Sequence, residues 1–396
     1  MPFNTELTRR LGIKVPIVQG GMQWVGTAPL ASAVSNAGAL GILTALTQPT
    51  PSALRSEIQK TRSLTTSPFG VNLTLLPALQ PPDYPAYANV ILSEGIKIVE
   101  TAGNNPGSII KQLKAGDPSI IILHKCTTIR HAKAAIKLGV DFLSIDGFEC
   151  AGHVGESDIT NFILLSRARQ SITVPFIASG GFADGQGLAA ALALGAEGIN
   201  MGTRFMCTIE APIHENVKRA IVGAEEGDTE LVMRRWRNTT RLFSNGMARE
   251  ARRVEGESKE GKFEEIAGFV SGKKGREVFV GGDTEFGVWT AGQVVGLIHD
   301  VPSCGELVGR IEREAEERIE RLGRLRVETK GEGVVESHMN NPTAEVWGLE
   351  SRNYELLSIS LRATYIRPVL LTNVQTLLRD TLPVSHPLLT ASEEVG

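Results

Sequence analysis

With 396 residues, 42% of them hydrophobic and 21% charged, the chain has the make-up of a globular protein with a sizeable core. A formal net charge of −3 gives no electrostatic case for nucleic acid or an anionic membrane as partner. Four cysteines (Cys126, Cys150, Cys207, Cys304) lie far apart without C-x-x-C spacing, which argues against a disulfide framework or zinc site and for a reducing, cytoplasmic setting. The N-terminal MPFNTELTRR lacks the apolar core of a signal peptide, and no apolar run has the length to span a bilayer.

Taken in chain order, the first two hundred residues repeat one beat: a short apolar run, a glycine or polar loop, then a longer helical pattern. Strands are predicted at KVPIV (14–18), GILTA (41–45), FGVNLTLL (69–76), IKIVET (96–101), SIIILHK (119–125), DFLSID (141–146), VPFIAS (174–179) and GINMG (198–202). Residues 29–38, 51–62, 129–138 and 185–194 suit crossover helices. Strands alternating with helices imply a parallel sheet, and eight such units imply closure into a (β/α)8 TIM barrel of α/β class. A doubly wound open sheet competes, but no G-x-G-x-x-G follows the first strand.

After Arg204 the pattern becomes charged and helical, so residues 206–285 are predicted as a helical insertion or cap, with residues 1–205 and 286–328 forming the barrel. WTAGQVVGLIHD (289–300) reads as an apolar helix, and 306–328 as a charged one. Residues 329–396 form a C-terminal extension of poor periodicity, either an extra docking element or a poorly ordered tail.

In such a barrel the loops at the C-terminal ends of the strands build the active site. Glycine turns after the seventh and eighth strands, Ser179-Gly180-Gly181 and Gly202-Thr203, offer backbone N–H groups to an anion, and phosphate commonly binds there. Lys125 ends an otherwise apolar strand, where a cation stabilises a ring that gains negative charge on reduction. Phosphate on one side, a cation on another and the bared backbone of Gly20 and Gly21 suit flavin mononucleotide. His153, between glycines in SIDGFECAGHVGE, lies on a loop at the same opening and can exchange a proton near neutral pH. His124 sits one residue earlier on its strand than Lys125 and faces the helices on this reading; His131 is structural or exposed.

Six segments in order, QGGMQWVG, PFGVNLTLLP, HKCT, SIDGFECAGHVGE, ASGGFADGQG and NMGTRF, resemble the nitronate monooxygenase (2-nitropropane dioxygenase) family of FMN-dependent barrels over roughly residues 10–325. The resemblance implies FMN held by Gly21, Met22, Gln23, Thr74, Lys125, Ala151, Gly152, Ser179, Gly180, Gly181, Gly202 and Thr203, with His153 as the catalytic histidine. Thr290-Ala291-Gly292-Gln293 resembles a further family segment near the flavin. SIDGFECAGH and the proline-rich NLTLLPALQPPDYPAY look more like the branch that oxidises NADH and reduces a quinone. That loop then either covers the flavin, with Gln80 reaching the nicotinamide, or is a plain proline-rich loop. The other branch oxidises alkyl nitronates with dioxygen. An enoyl-thioester reductase of related barrel type would need a basic docking patch, and none is clear in the sequence. A flavin-binding protein without turnover would have no need of a histidine at the ring.

Overall fold

The computed structural model describes residues 3–75 and 81–325; Gln80 and the extension 329–396 lie outside them. Eight strands run in the order expected: β1 (Ile17–Gln19), β2 (Gly41–Thr44), β3 (Phe69–Leu75), β4 (Ile98–Gly103), β5 (Ile121–Cys126), β6 (Phe142–Asp146), β7 (Phe176–Ser179) and β8 (Ile199–Met201). Each pairs in parallel with its sequence neighbours, β8 returns to β1, and a Val18–Leu40 bridge joins β1 to the start of β2. The result is a closed (β/α)8 barrel.

Side chains alternate between the two faces of a strand, so each strand carries an inward and an outward row. The inward row begins apolar: Val18, Leu40, Ile42, Ile98, Leu123, Phe142 and Ile177 pack together, and Leu7, Leu11 and Ile13 from the N-terminal segment join them. Two residues further along, the same strands present Thr44, Glu100, Lys125, Ser144 and Ser179. The barrel is therefore dry at one end and polar toward the C-terminal ends of its strands. The outward row, including Leu43, Val71, Leu73, Val99, Ile122, Leu143, Ile145 and Ala178, packs under the helices.

Local chemistry sets the helix boundaries. Thr50 caps Pro51–Leu64 by accepting from the Ala53 amide, and Asp184 caps Gly185–Ala193 by accepting from Gly187. The last helix starts at Cys304, two residues before the predicted Glu306, because Ser303 and Glu306 form a reciprocal capping box. That helix, Cys304–Arg324, lies against Gly185–Ala193, where the Gly185 amide donates to Glu314 Oε2 at 2.9 Å.

Two expectations need correction. The insertion carries helices (Glu215–Val222, Gly246–Glu257, Gly272–Gly281), but also an antiparallel pair, β9 (Thr229–Val232) and β10 (Thr240–Phe243). Periodicity missed these strands because they are only four residues each and sit among charged helical stretches. Its own small core comprises Val232, Met233, Leu242, Ala248, Ala251, Ile266 and Val288. The segment 289–300 is not a full helix; only Gln293–Leu297 forms a 3-10 turn. Its first amides are taken by barrel oxygens, Gly292 donating to Thr203 Oγ1 and Gln293 to the Glu149 carbonyl, both at 3.0 Å. Among the described residues no helix is long and apolar enough to cross a membrane, and no cluster has the makings of a metal site.

His124 lies on the outward row, buried, with Nδ1 2.9 Å from Thr101 Oγ1. Burial lowers its pKa from 6.5 to about 4. The unfolded chain therefore takes up a proton below about pH 6.5 that the folded chain refuses until about pH 4, and stability falls as pH drops through that window. His124→Gln should remove about 2–3 kcal/mol of the stability lost between pH 7 and 4.5. Urea unfolding of both proteins at the two pH values checks this, and identical pH dependence would contradict it.

Candidate functional site

The polar end of the barrel is organised around Glu100, a carboxylate with no exposed surface. Its Oε2 accepts from the Gly21 amide (2.9 Å) and Asn72 Nδ2 (2.8 Å), and its Oε1 from Asn200 Nδ2 (3.1 Å). Asn200 also donates to Ser144 Oγ at 3.2 Å, and Thr74 Oγ1 donates to Asn72 Oδ1 at 2.8 Å. A Cβ at Gly20 would lie 2.4 Å from Asn200 Oδ1, and one at Gly21 2.3 Å from Asn72 Cγ. These two glycines let the backbone after β1 seat on the buried network; the space beside them is filled by asparagine.

The turn after β1 then runs past Met22, whose amide donates to Thr44 Oγ1 at 2.8 Å, and past Gln23, which is exposed. A Cβ at Gly202 would lie 3.4 Å from Met22 Sδ, so the β1 and β8 turns adjoin. Lys125 Nζ is 3.6 Å from Asp146 Oδ1, a buried oxygen without a hydrogen-bond partner among the described residues. Burial opposes charge on the lysine, but the Asp146 and Glu100 carboxylates outweigh it and hold the ammonium above its ordinary range. Burial pushes the Asp146 carboxyl up in pKa, with Lys125 and Ser179 acting the other way.

Sequence reasoning passed over Asn161, which shapes the Ser179–Gly181 turn. Its Nδ2 donates to the carbonyls of Ser179 (2.9 Å) and Gly180 (2.5 Å), while its amide donates to Glu149 Oε1 (3.0 Å). In a trans peptide the N–H points opposite to the C=O. Drawing both carbonyls to one side turns the N–H groups of Gly180 and Gly181 to the other, and both glycines hold positive φ (85° and 83°). A Cβ at Gly180 would meet Cys150 Cβ at 2.7 Å, so bulk there would displace the Cys150 loop first. Thr203 Oγ1 accepts from Gly292, which leaves its own proton available to donate. Two aligned amides and a free hydroxyl proton fit a phosphate.

The segment after β6 completes the opening. Gly152–His153 forms a short strand that pairs antiparallel with β10, Thr240 opposite His153 and Arg241 opposite Gly152. Gly152 takes φ +70°, open to glycine without strain. His153 is exposed to solvent on one side, and the partial desolvation of its ring lowers its pKa, with Asn238 and Glu156 acting the other way. The Thr290–Gln293 turn closes on the same segment: a Cβ at Gly292 would lie 3.3 Å from the Ala151 amide. The structure thus gathers Gly21, Met22, Thr74, Lys125, Ala151, Gly152, Ser179–Gly181 and Gly202–Thr203 around the polar end of the barrel, with His153 at its rim.

The family model for nitronate monooxygenase matches residues 4–314. A Rhodococcus jostii protein named (3aS,4S,5R,7aS)-5-hydroxy-7a-methyl-1-oxo-octahydro-1H-indene-4-carboxyl-CoA dehydrogenase is 32% identical, covering 82% of this chain and 99% of its own. A nitronate monooxygenase of Paraburkholderia phytofirmans is 30% identical over 79% of this chain and 95% of its own. Among solved structures, FabK from Thermotoga maritima superposes with a TM-score of 0.74 at 33% identity, covering 82% of this chain and all (100%) of FabK.

Asn161→Ala should free the Ser179 and Gly180 carbonyls and weaken flavin binding about tenfold or more, equivalent to ~1.4 kcal/mol or above. Fluorescence titration of flavin-free protein with FMN measures it; wild-type affinity in the variant would contradict the role assigned to that side chain.

Proposed function

The chain belongs to the nitronate monooxygenase family and is an oxidoreductase of the flavin-dependent kind, and from that premise we propose that its flavin is FMN and that it oxidises NADH and reduces a quinone. FMN, when bound, supplies a ring that takes up two electrons and gives them up again. The observation that carries the FMN reading is the Ser179–Gly181 turn, whose Asn161-anchored carbonyls leave two amides facing a phosphate. Gly202–Thr203 would complete the phosphate site. Gly21, Met22, Gln23, Thr74, Lys125, Ala151 and Gly152 would hold the ring, with the Lys125 ammonium placed against negative charge.

The choice of NADH and a quinone as substrates rests on the likeness of SIDGFECAGH and NLTLLPALQPPDYPAY to the reductase branch. NADH brings one hydrogen as hydride, so taking a quinone to its hydroquinone draws one further proton. An imidazole at the rim, exposed to water, can pass that proton inward from solvent. Alkyl nitronate oxidation is the alternative chemistry, and the family model's own description supports it. A third reading, oxidation or reduction of a coenzyme A thioester, draws on the Rhodococcus relative. It also gains the basic feature that the sequence did not make clear. Arg234, Arg235 and Arg237 are all exposed on the turn between β9 and β10, close in sequence to the Thr240 that pairs with His153. Arginines of this kind suit phosphate groups.

His153→Ala should keep its flavin and slow turnover about 100-fold or more. Steady-state kinetics together with the flavin-to-protein ratio test this, and unchanged turnover on every substrate would remove the histidine from the mechanism. Anaerobic mixing of the yellow protein with NADH, an alkyl nitronate or an acyl-CoA separates the three substrate readings. Bleaching by NADH alone is expected; bleaching only by one of the others transfers the assignment to it.

A further inference from the structure

The most unusual group outside the barrel is Arg241, on β10 of the insertion. Its side chain is 3% exposed, and its Nε has no hydrogen-bond partner among the described residues. The other donors go to neutral oxygens: Nη1 to Thr229 Oγ1 at 2.8 Å and Nη2 to the Phe148 carbonyl at 3.0 Å. The guanidinium lies 4.7 Å from the centre of the Phe148 ring. Burial pushes its pKa down, with nearby Cys150 and Glu149 acting the other way. A buried cation is costly to keep where an apolar residue would serve, so its contacts call for a purpose.

Thr229 anchors the guanidinium within the insertion, and its other contacts lead to one place. Phe148 begins the segment that carries Cys150, Ala151, Gly152 and His153, and Arg241 stands in register with Gly152 itself. A planar guanidinium that both stacks on the Phe148 ring and bonds its carbonyl fixes that residue in orientation as well as position. The neighbouring links are of the same kind: the Thr239 amide donates to Glu156 Oε1 at 2.9 Å, and the Val154 amide to the Thr239 carbonyl at 3.2 Å. Without β10, the strand Gly152–His153 would have no partner in its sheet.

We propose that Arg241 is a positioning residue that clamps the 148–153 segment from the insertion and so sets where His153 stands over the barrel opening. It acts through Phe148 and Gly152. The inference rests on His153 being the proton-handling group, but the clamp itself is open to measurement without any substrate.

The test is amide hydrogen exchange on the full-length protein as purified, for wild type, Arg241→Lys and Arg241→Met, alongside steady-state kinetics. Exchange of amides 150–154 should accelerate at least tenfold in both variants, while β4–β6 amides stay within twofold of wild type. kcat should fall at least tenfold with KM within threefold, and Lys should not rescue it, because a compact ammonium lacks the flat face and the spaced donors that let a guanidinium lie on the Phe148 ring while reaching Thr229 and the Phe148 carbonyl. Local acceleration supports the clamp even in a protein that turns over none of the proposed substrates, so the functional reading can fail separately. Exchange at 150–154 within twofold of wild type in both variants would overturn the proposal. If neither variant folds, Thr229→Val removes one acceptor of the guanidinium alone. It should accelerate the same amides at least threefold, and wild-type exchange there would overturn the clamp.

Discussion

A carboxylate without exposed surface sits at the heart of this barrel, and the rest of the polar end is arranged to satisfy it. Burying a charge is costly unless it is hydrogen-bonded and balanced. Glu100 on β4 draws in an amide from the turn after β1, an asparagine from β3 and another from β8, and it contributes to holding the Lys125 ammonium charged. One turn and two strands that border the opening are thereby tied to one side chain. The glycines at 20 and 21 follow from the same requirement, since any side chain there would strike Asn200 or Asn72.

Two layers of the molecule meet at the opening. The barrel supplies a rigid wall of amides, hydroxyls and one ammonium, set on strands whose apolar ends are closed by the N-terminal segment. The insertion supplies the second wall through β10, which pairs with the glycine and histidine after β6. The polar end of the barrel is built from its strand ends and the turns after them, whereas the histidine depends on a segment outside the barrel's sheet.

The barrel was legible because each strand is a short apolar run between glycine or polar loops, and local pattern suffices for that. Lys125 and His153 stood out for the same reason, as polar residues beside apolar runs. Glu100 did not, because a single acid in IKIVET gains meaning only from Asn72 and Asn200, and Asn200 is 100 residues away. Asn161 was invisible likewise: its work is to hold two carbonyls that belong to another strand's turn. The pairing of β10 with Gly152–His153 joins segments remote in sequence, and two four-residue strands give too little periodicity to announce themselves. The helix expected at 289–300 failed because tertiary acceptors captured its first amides.

The central claim is that the turns after β7 and β8 receive the phosphate of FMN at the polar end built on Glu100. A crystal structure of the full-length protein loaded with FMN tests it most directly. The account predicts the phosphate on the amides of Gly180 and Gly181 and the hydroxyl of Thr203, with the ring toward Lys125 and Gly152. A phosphate bound away from both turns, or a ring lying outside the barrel opening, would contradict it.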